Sequence, residues 1–274
     1  MSKTLVVGDI HCKPYITKAI KELLPNYDKV VFLGDYEDDW AAPPKLSQQT
    51  VKELIDLKLS EPDKIILLWG NHTASNAMPD LFKCSGFDIE THTLLKDLYD
   101  TKLNGKPIFQ LAYSEGNYLF THAGVTNSYL KLLKASIQHY YPDLQSLVDH
   151  TTAEKLCFLL NTIFYNGLKN HGYPLFRMLN QVGPARGGYH QIPSPLWADK
   201  SELLKDPIPG ISQIVGHTPV KTITIDKKTS SIFCDTFSTS FIPFAGLVLP
   251  IGDSTLLELD FNKIHRARKK IIKL

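Results

Sequence analysis

Three short runs near the start of the chain, 4–8 (Thr-Leu-Val-Val-Gly), 29–34 (Lys-Val-Val-Phe-Leu-Gly) and 64–70 (Lys-Ile-Ile-Leu-Leu-Trp-Gly), are apolar with no alternation of polar positions. A strand with one solvated face alternates, so unbroken runs of this length read as strands buried on both faces. Between them, stretches around Tyr15 to Leu24 and Ser47 to Leu59 repeat apolar residues every three or four positions, the spacing of a helix with one buried stripe. Strand, helix, strand, helix, strand predicts an α/β core. Two more strand-like runs follow at 118–121 and 213–215, too far apart for one crossover connection, which predicts an insertion. The interval holds helix-like sequence from about 128 to 168, then a Pro/Gly-rich loop from Val182 to Trp197; long loops of this kind tend to be functional, so this one is expected to wall a site. After Val215, runs at 222–226, 231–235, 245–249 and 255–259 separated by turn signals predict antiparallel hairpins closing a second sheet.

Composition changes this picture little. At 274 residues, with 43% hydrophobic and 21% charged side chains, the chain is an ordinary globular protein, not a fibrous or disordered one. No apolar run approaches the roughly 20 residues that a membrane-spanning helix needs, and the first residues enter a strand with no signal-peptide pattern, so a cytoplasmic protein with no membrane partner is expected. Cys12, Cys84, Cys157 and Cys234 are widely spaced, without the pairs of a zinc knuckle, and read as reduced thiols. Five of the 30 basic residues fall in the last ten positions, which contain no acid. Such a tail at 265–274 can touch nucleic acid, and the solvated face of a terminal helix accounts for it equally well.

The candidate chemistry lies at the strand ends. Each of the first three runs ends in Gly followed by ligand-capable residues: Gly8-Asp9-Ile10-His11, Gly34-Asp35-Tyr36-Glu37-Asp38 and Gly70-Asn71-His72. Ligands of open α/β sheets bind beyond the carboxyl ends of the strands, so these tips should converge. Asp9 and His11 are two apart and can face one ion, whereas Asn71 and His72 are adjacent and should point differently, one to a metal and one to a substrate. His122 and His217 end the two later runs. Carboxylate, amide and imidazole together suit Mn, Fe or Zn better than Mg or Ca, and six ligands exceed what one zinc-like ion takes, which points to a pair of ions sharing a carboxylate.

With GDIH at 8–11, GDYED at 34–38, GNH at 70–72, THAG at 121–124 and GHTP at 216–219, the chain resembles the calcineurin-like metallophosphoesterase superfamily, and within it the phosphoprotein phosphatase group of Ser/Thr phosphatases and diadenosine-tetraphosphate hydrolases. The resemblance implies an α/β, four-layer sandwich of two mixed β-sheets flanked by helices. The domain would span 1–264, with a helical and loop insertion at about 128–200. It implies two divalent metal ions, with Asp9 and His11 on the first, Asp35 bridging, and Asn71, His122 and His217 on the second. His72 would be the general acid, oriented by Asp38, and a bridging hydroxide the nucleophile. The implied activity is phosphomonoester hydrolysis, on a phosphorylated protein or a small phosphometabolite. The alternatives are a nucleotide polyphosphate hydrolase or a phosphodiesterase or nuclease, and a non-catalytic metal- or phosphate-binding scaffold.

The second motif departs from the family's pattern. Asp39 and Trp40 stand where Arg-Gly normally follows, so a phosphate clamp must come from elsewhere. Before position 265 the chain has only Arg177 and Arg186. Arg186, in the Gly-rich loop just before Ser194-Pro-Leu-Trp-Ala-Asp, is the expected substrate-binding arginine, with Asn71 beside it.

Overall fold

The computed structural model describes residues 2–40, 42–148, 151–261 and 267–274. Along the first half run β1 (Lys3–Val7), α1 (Pro14–Leu23), β2 (Lys29–Phe32), α2 (Pro44–Ser60), β3 (Ile65–Leu68), α3 (Asn71–Ala77), α4 (Ile89–Tyr99), the small hairpin β4 (Lys102–Leu103) and β5 (Lys106–Pro107), and β6 (Phe109–Gln110). β7 (Ala112–Glu115) and β8 (Tyr118–Thr121) precede α5 (Asn127–Tyr140), α6 (Gln145–Val148), α7 (Ala153–Lys169), α8 (Pro174–Arg177) and α9 (Lys200–Lys205). The chain closes with β9 (Ser212–Val215), β10 (Thr224–Asp226), β11 (Ser231–Phe233), β12 (Thr239–Ile242), β13 (Leu247–Pro250), β14 (Thr255–Asp260) and β15 (Arg268–Lys273).

Two mixed sheets result. The first has the order β15-β14-β1-β2-β3-β6, with β1, β2, β3 and β6 parallel and β14 and β15 added antiparallel. The second has the order β10-β11-β9-β8-β7, parallel at its centre and antiparallel at both edges. Consecutive side chains on a strand face opposite ways, and here both faces are covered. Val6, Val31, Leu33 and Leu68 pack against Phe120, Ile214 and Ile232 of the second sheet, while Leu5, Val7, Val30, Phe32 and Leu67 pack against the helices. That two-sided burial is why β1 to β3 read as unbroken apolar runs.

β6 ends in one sheet and β7 begins in the other, and α7 fixes the crossing point. Its Asn161 accepts from the backbone N–H groups of Leu111 and Ala112 at 2.9 and 3.0 Å and donates to the Ala112 carbonyl at 2.8 Å, satisfying the polar backbone exposed where the ladder changes sheet.

The C-terminal third differs from the hairpin series expected from the sequence. β10 and β11 do form an antiparallel pair in the second sheet, but β14 lies beside β1 in the first, and β12 and β13 form a separate two-stranded hairpin. Turn signals mark where strands stop, and partners far away in sequence are chosen by packing. The basic stretch is likewise no helix face: 268–273 pairs with β14 as the edge strand β15, and the expected tail residues His265 and Arg266 lie outside the described residues. Lysines on an edge strand discourage further strand addition, a structural reason for the charge there.

Candidate metal centre

Every sequence-predicted ligand stands just past the carboxyl end of a parallel strand: Asp9 and His11 after β1, Asp35 after β2, Asn71 after β3, His122 after β8 and His217 after β9. Two glycines let these ends meet. Gly34 has φ of 109°, and a Cβ there would lie 2.6 Å from the Gly70 backbone nitrogen. A Cβ on Gly216 would lie 1.9 Å from Asp9 Oδ1. His11, Asp35, Asp38 and His217 all carry positive φ, so backbone strain is concentrated where the strands deliver their side chains.

Four acceptor-capable atoms crowd one point. Asn71 Oδ1 is 2.8 Å from His122 Nε2 and 2.9 Å from His217 Nδ1; those two nitrogens are 3.1 Å apart, and Asp35 Oδ2 is 3.3 Å from His122 Nε2. His122 Nδ1 lies 2.9 Å from the Leu33 carbonyl, a contact that needs a proton on Nδ1 and leaves Nε2 facing the other three atoms. Burial, helped by the nearby Arg186 and His122, holds the His217 imidazole well below its usual pKa and keeps it neutral. These four atoms can all turn a lone pair to one cation, and His217 Nε2 on the far side of its ring is buried without a partner.

Asp9, His11 and Asp35 form a second such group that shares Asp35 with the first. His11 Nδ1 is 2.9 Å from the Glu37 carbonyl, which directs its Nε2 elsewhere. Asp9 Oδ2 accepts the His217 N–H at 2.8 Å, whereas its buried Oδ1 has no partner. Burial and the charges of Asp235 and Asp35 push the Asp9 carboxyl well above its ordinary pKa. At Asp35 burial acts in the same direction, but His122, His72 and His11 outweigh it and hold that carboxyl well below the usual range. The orphaned oxygen, the crowded carboxylates and the shared Asp35 all fit two divalent cations. Gly216→Ala drives a methyl into Asp9, and the expected outcome is a roughly 10–100-fold weaker affinity for divalent cations, read by calorimetric titration.

Beside this cluster His72 takes a different direction from Asn71, as adjacency predicted. Its backbone N–H donates to Asp35 Oδ1 at 2.9 Å, and its Nδ1 lies 3.0 Å from Asp38 Oδ2. Burial alone would lower the His72 pKa, but the Asp35 charge and the Asp38 hydrogen bond raise it well above 6.5. Arg186 also reaches the site. Nη2 donates to the His217 carbonyl at 3.0 Å and to Thr218 Oγ1 at 2.9 Å, and Nε lies 3.2 Å from Asp199 Oδ2, so part of the guanidinium is engaged by protein groups. His11, Asn71, His72, Arg186 and Trp197 line one cleft of about 760 Å³.

Three participants were not singled out in the sequence. Asn76 donates to Asp38 Oδ2 at 2.7 Å and fixes the carboxylate that holds His72; its position one helical turn after His72 was the available signal. Cys84, from the irregular stretch after α3, lies 3.2 Å from Asn71 Nδ2 and 3.3 Å from His72 Nε2, and nothing in its spacing marks it. Asp235, buried after β11, is held by Ser238 and feels the charges of His11 and Asp35.

The sequence model described as calcineurin-like phosphoesterase matches residues 2–221. No curated protein sequence matches the chain. Among solved structures, the cold-active protein-tyrosine phosphatase of the psychrophile Shewanella sp. is similar at 16% identity and a TM-score of 0.51, over 100% of this chain and 80% of that one. A protein serine/threonine phosphatase from Saccharomyces cerevisiae is similar at 13% identity and a TM-score of 0.48, with 100% and 80% covered.

Proposed function

This chain belongs to the calcineurin-like phosphoesterase family and is a metal-dependent hydrolase of phosphoric esters, and we propose that it is a phosphomonoesterase of the Ser/Thr-phosphatase kind that works with two divalent cations, manganese by preference. The observation that carries this reading is the convergence of potential ligand atoms from five strand ends into two groups that share Asp35, flanked by a histidine–aspartate pair. Asp9, His11 and Asp35 would hold one cation, and Asp35, Asn71, His122 and His217 the other. Carboxylate, amide and imidazole donors favour manganese, iron or zinc. When bound, such a pair lowers the pKa of a water and neutralises charge developing on phosphoryl oxygens.

The chain's own groups do the rest. Leu33 and Glu37 carbonyls fix the ring orientation of His122 and His11, so the metal-facing nitrogens need not reorganise. Asp38, itself held by Asn76, keeps His72 protonated and aimed. His72 Nε2–H then gives its proton to the ester oxygen as the P–O bond breaks, and is reprotonated from solvent. Arg186 contributes donors to the phosphoryl oxygens from the cleft wall, where it lies against the His217 backbone. Asn71 borders the same oxygens through its place at the cleft floor.

Residue 219, two after His217, is proline and supplies no second imidazole there, which favours monoester over diester hydrolysis. The substrate class we assign is a phosphorylated protein side chain or a small phosphometabolite. All four cysteines are unpaired thiols, which suits the reducing cytoplasm; among the described residues no helix is long and apolar enough to cross a membrane. The test is hydrolysis of p-nitrophenyl phosphate against bis-p-nitrophenyl phosphate with added Mn²⁺. A monoester kcat/KM at least about 100-fold higher is expected, a gap of about 2.7 kcal/mol; a preference for the diester moves the protein to the phosphodiesterases.

A further inference from the structure

The turn that delivers Asp35 and Asp38 continues into Asp39 and Trp40, and these two residues have no part in the reaction described so far. Asp39 accepts from Lys13 Nζ at 2.7 Å and from the Thr239 hydroxyl, so its charge is answered within the protein and it ties the turn to β12. Trp40 completes that tie through its indole N–H, which donates to the Thr239 carbonyl at 3.2 Å. Its ring stacks on Phe241, with centroids 5.9 Å apart and an interplanar angle of 17°. Yet Trp40 remains 56% exposed, and both Trp40 and Thr239 line the cleft that holds the metal ligands.

An exposed aromatic is ordinary when isolated. This one is different in three ways. It is oriented by a hydrogen bond and a ring contact, so little side-chain entropy remains to be lost on binding. It belongs to the same cleft as His72 and Arg186. It also continues into an apolar rim, because Phe241, Ile242, Phe244 and Leu247 of the hairpin are all exposed. The electrostatics narrow what lies against it. The carboxylates of Asp88 and Glu90 also line the cleft, and neither has an ion-pair partner among the described residues, so a chain of further phosphates would meet repulsion there.

We propose that Trp40, backed by Phe241, is a stacking platform for an aromatic ring on the leaving-group side of the substrate. The preferred substrate is then a phosphomonoester with one phosphate and a flat ring a few bonds away, as in an aryl phosphate or a nucleoside monophosphate. This deepens the phosphomonoesterase reading and rests on it. Trp40 binds the leaving group and takes no part in bond breaking, so it sets specificity and is no catalytic residue.

The test compares 2-phenylethyl phosphate with butyl phosphate, whose leaving alcohols differ in the ring and little in reactivity, in the full-length metal-loaded enzyme. Wild type is expected to favour the ring-bearing ester in kcat/KM by about tenfold, the size of one aromatic stacking contact. Trp40→Ala brings that ratio close to one, Trp40→Phe restores most of it, and Phe158→Ser, a change at an exposed position of α7 that does not line the cleft, leaves it as in wild type. N-acetyl-phosphotyrosine amide and adenosine 5′-monophosphate, each run in wild type and Trp40→Ala, identify the kind of ring by which of them loses rate. A ratio near one in wild type, or a ratio that Trp40→Ala does not change, overturns the platform while leaving the phosphomonoesterase intact. If neither ester is hydrolysed by wild type, the phosphomonoesterase reading itself falls, and the platform with it.

Discussion

Asp35→Asn is expected to lower kcat for p-nitrophenyl phosphate by at least about 10³-fold, the equivalent of roughly 4 kcal/mol in the barrier. Among the described residues, Asp35 is common to both groups that could hold a metal ion. Its Oδ1 takes the His72 backbone N–H and its Oδ2 faces His122. Asparagine keeps the shape and the acceptor for His72, so the chain should still fold. It removes the negative charge and turns one metal-facing oxygen into an amide group with no lone pair to offer. The loss should therefore fall on kcat, with the thermal stabilisation that divalent cations give the wild type much reduced. Melting curves with and without Mn²⁺, alongside the rates, separate this outcome from simple unfolding.

His72→Asn should lower kcat by about 10²–10⁴-fold on phosphoserine amide and far less on p-nitrophenyl phosphate. The reason is the leaving group: an alkoxide needs a proton as the bond breaks, whereas nitrophenolate leaves readily without one. Equal losses on both substrates would assign His72 to binding or metal positioning. Its protonation also predicts a pH effect with a definite sign. His72 must carry its proton to act, and the Asp35 charge and the Asp38 hydrogen bond raise its pKa, so activity on phosphoserine amide declines as pH rises through that pKa. Asp38→Asn removes the support and should move this alkaline limb to lower pH, with a smaller loss of rate at acidic pH. A limb that stays in place would remove Asp38 from its orienting role.

How far the sequence carried depends on how local each signal was. β1, β2 and β3 were legible because burial on both faces leaves an unbroken apolar run, and the convergence of the candidate ligand residues because each follows the end of a strand. α1, α2 and the helices before the Gly-rich loop were legible from apolar spacing. β6 was not, since a strand of two residues has no periodicity to show. The placement of β14 beside β1 could not be read because a strand's own pattern does not name a partner some 250 residues away in sequence. Cys84 and Asp235 sit at the site by virtue of tertiary packing alone. Trp40 was visible as a departure from the expected motif, but its stacking on Phe241, far away in sequence, required the fold.

The most direct test of the central claim, that the converging strand ends hold a pair of catalytic cations, is a titration of metal-stripped protein with Mn²⁺, counting bound metal per chain while following p-nitrophenyl phosphate hydrolysis. The expected result is no appreciable rate in the stripped protein and a rate that rises to its plateau only as two equivalents are bound, with Asp35→Asn failing to reach it. Full activity in the stripped protein, or a plateau at a single equivalent, would contradict it.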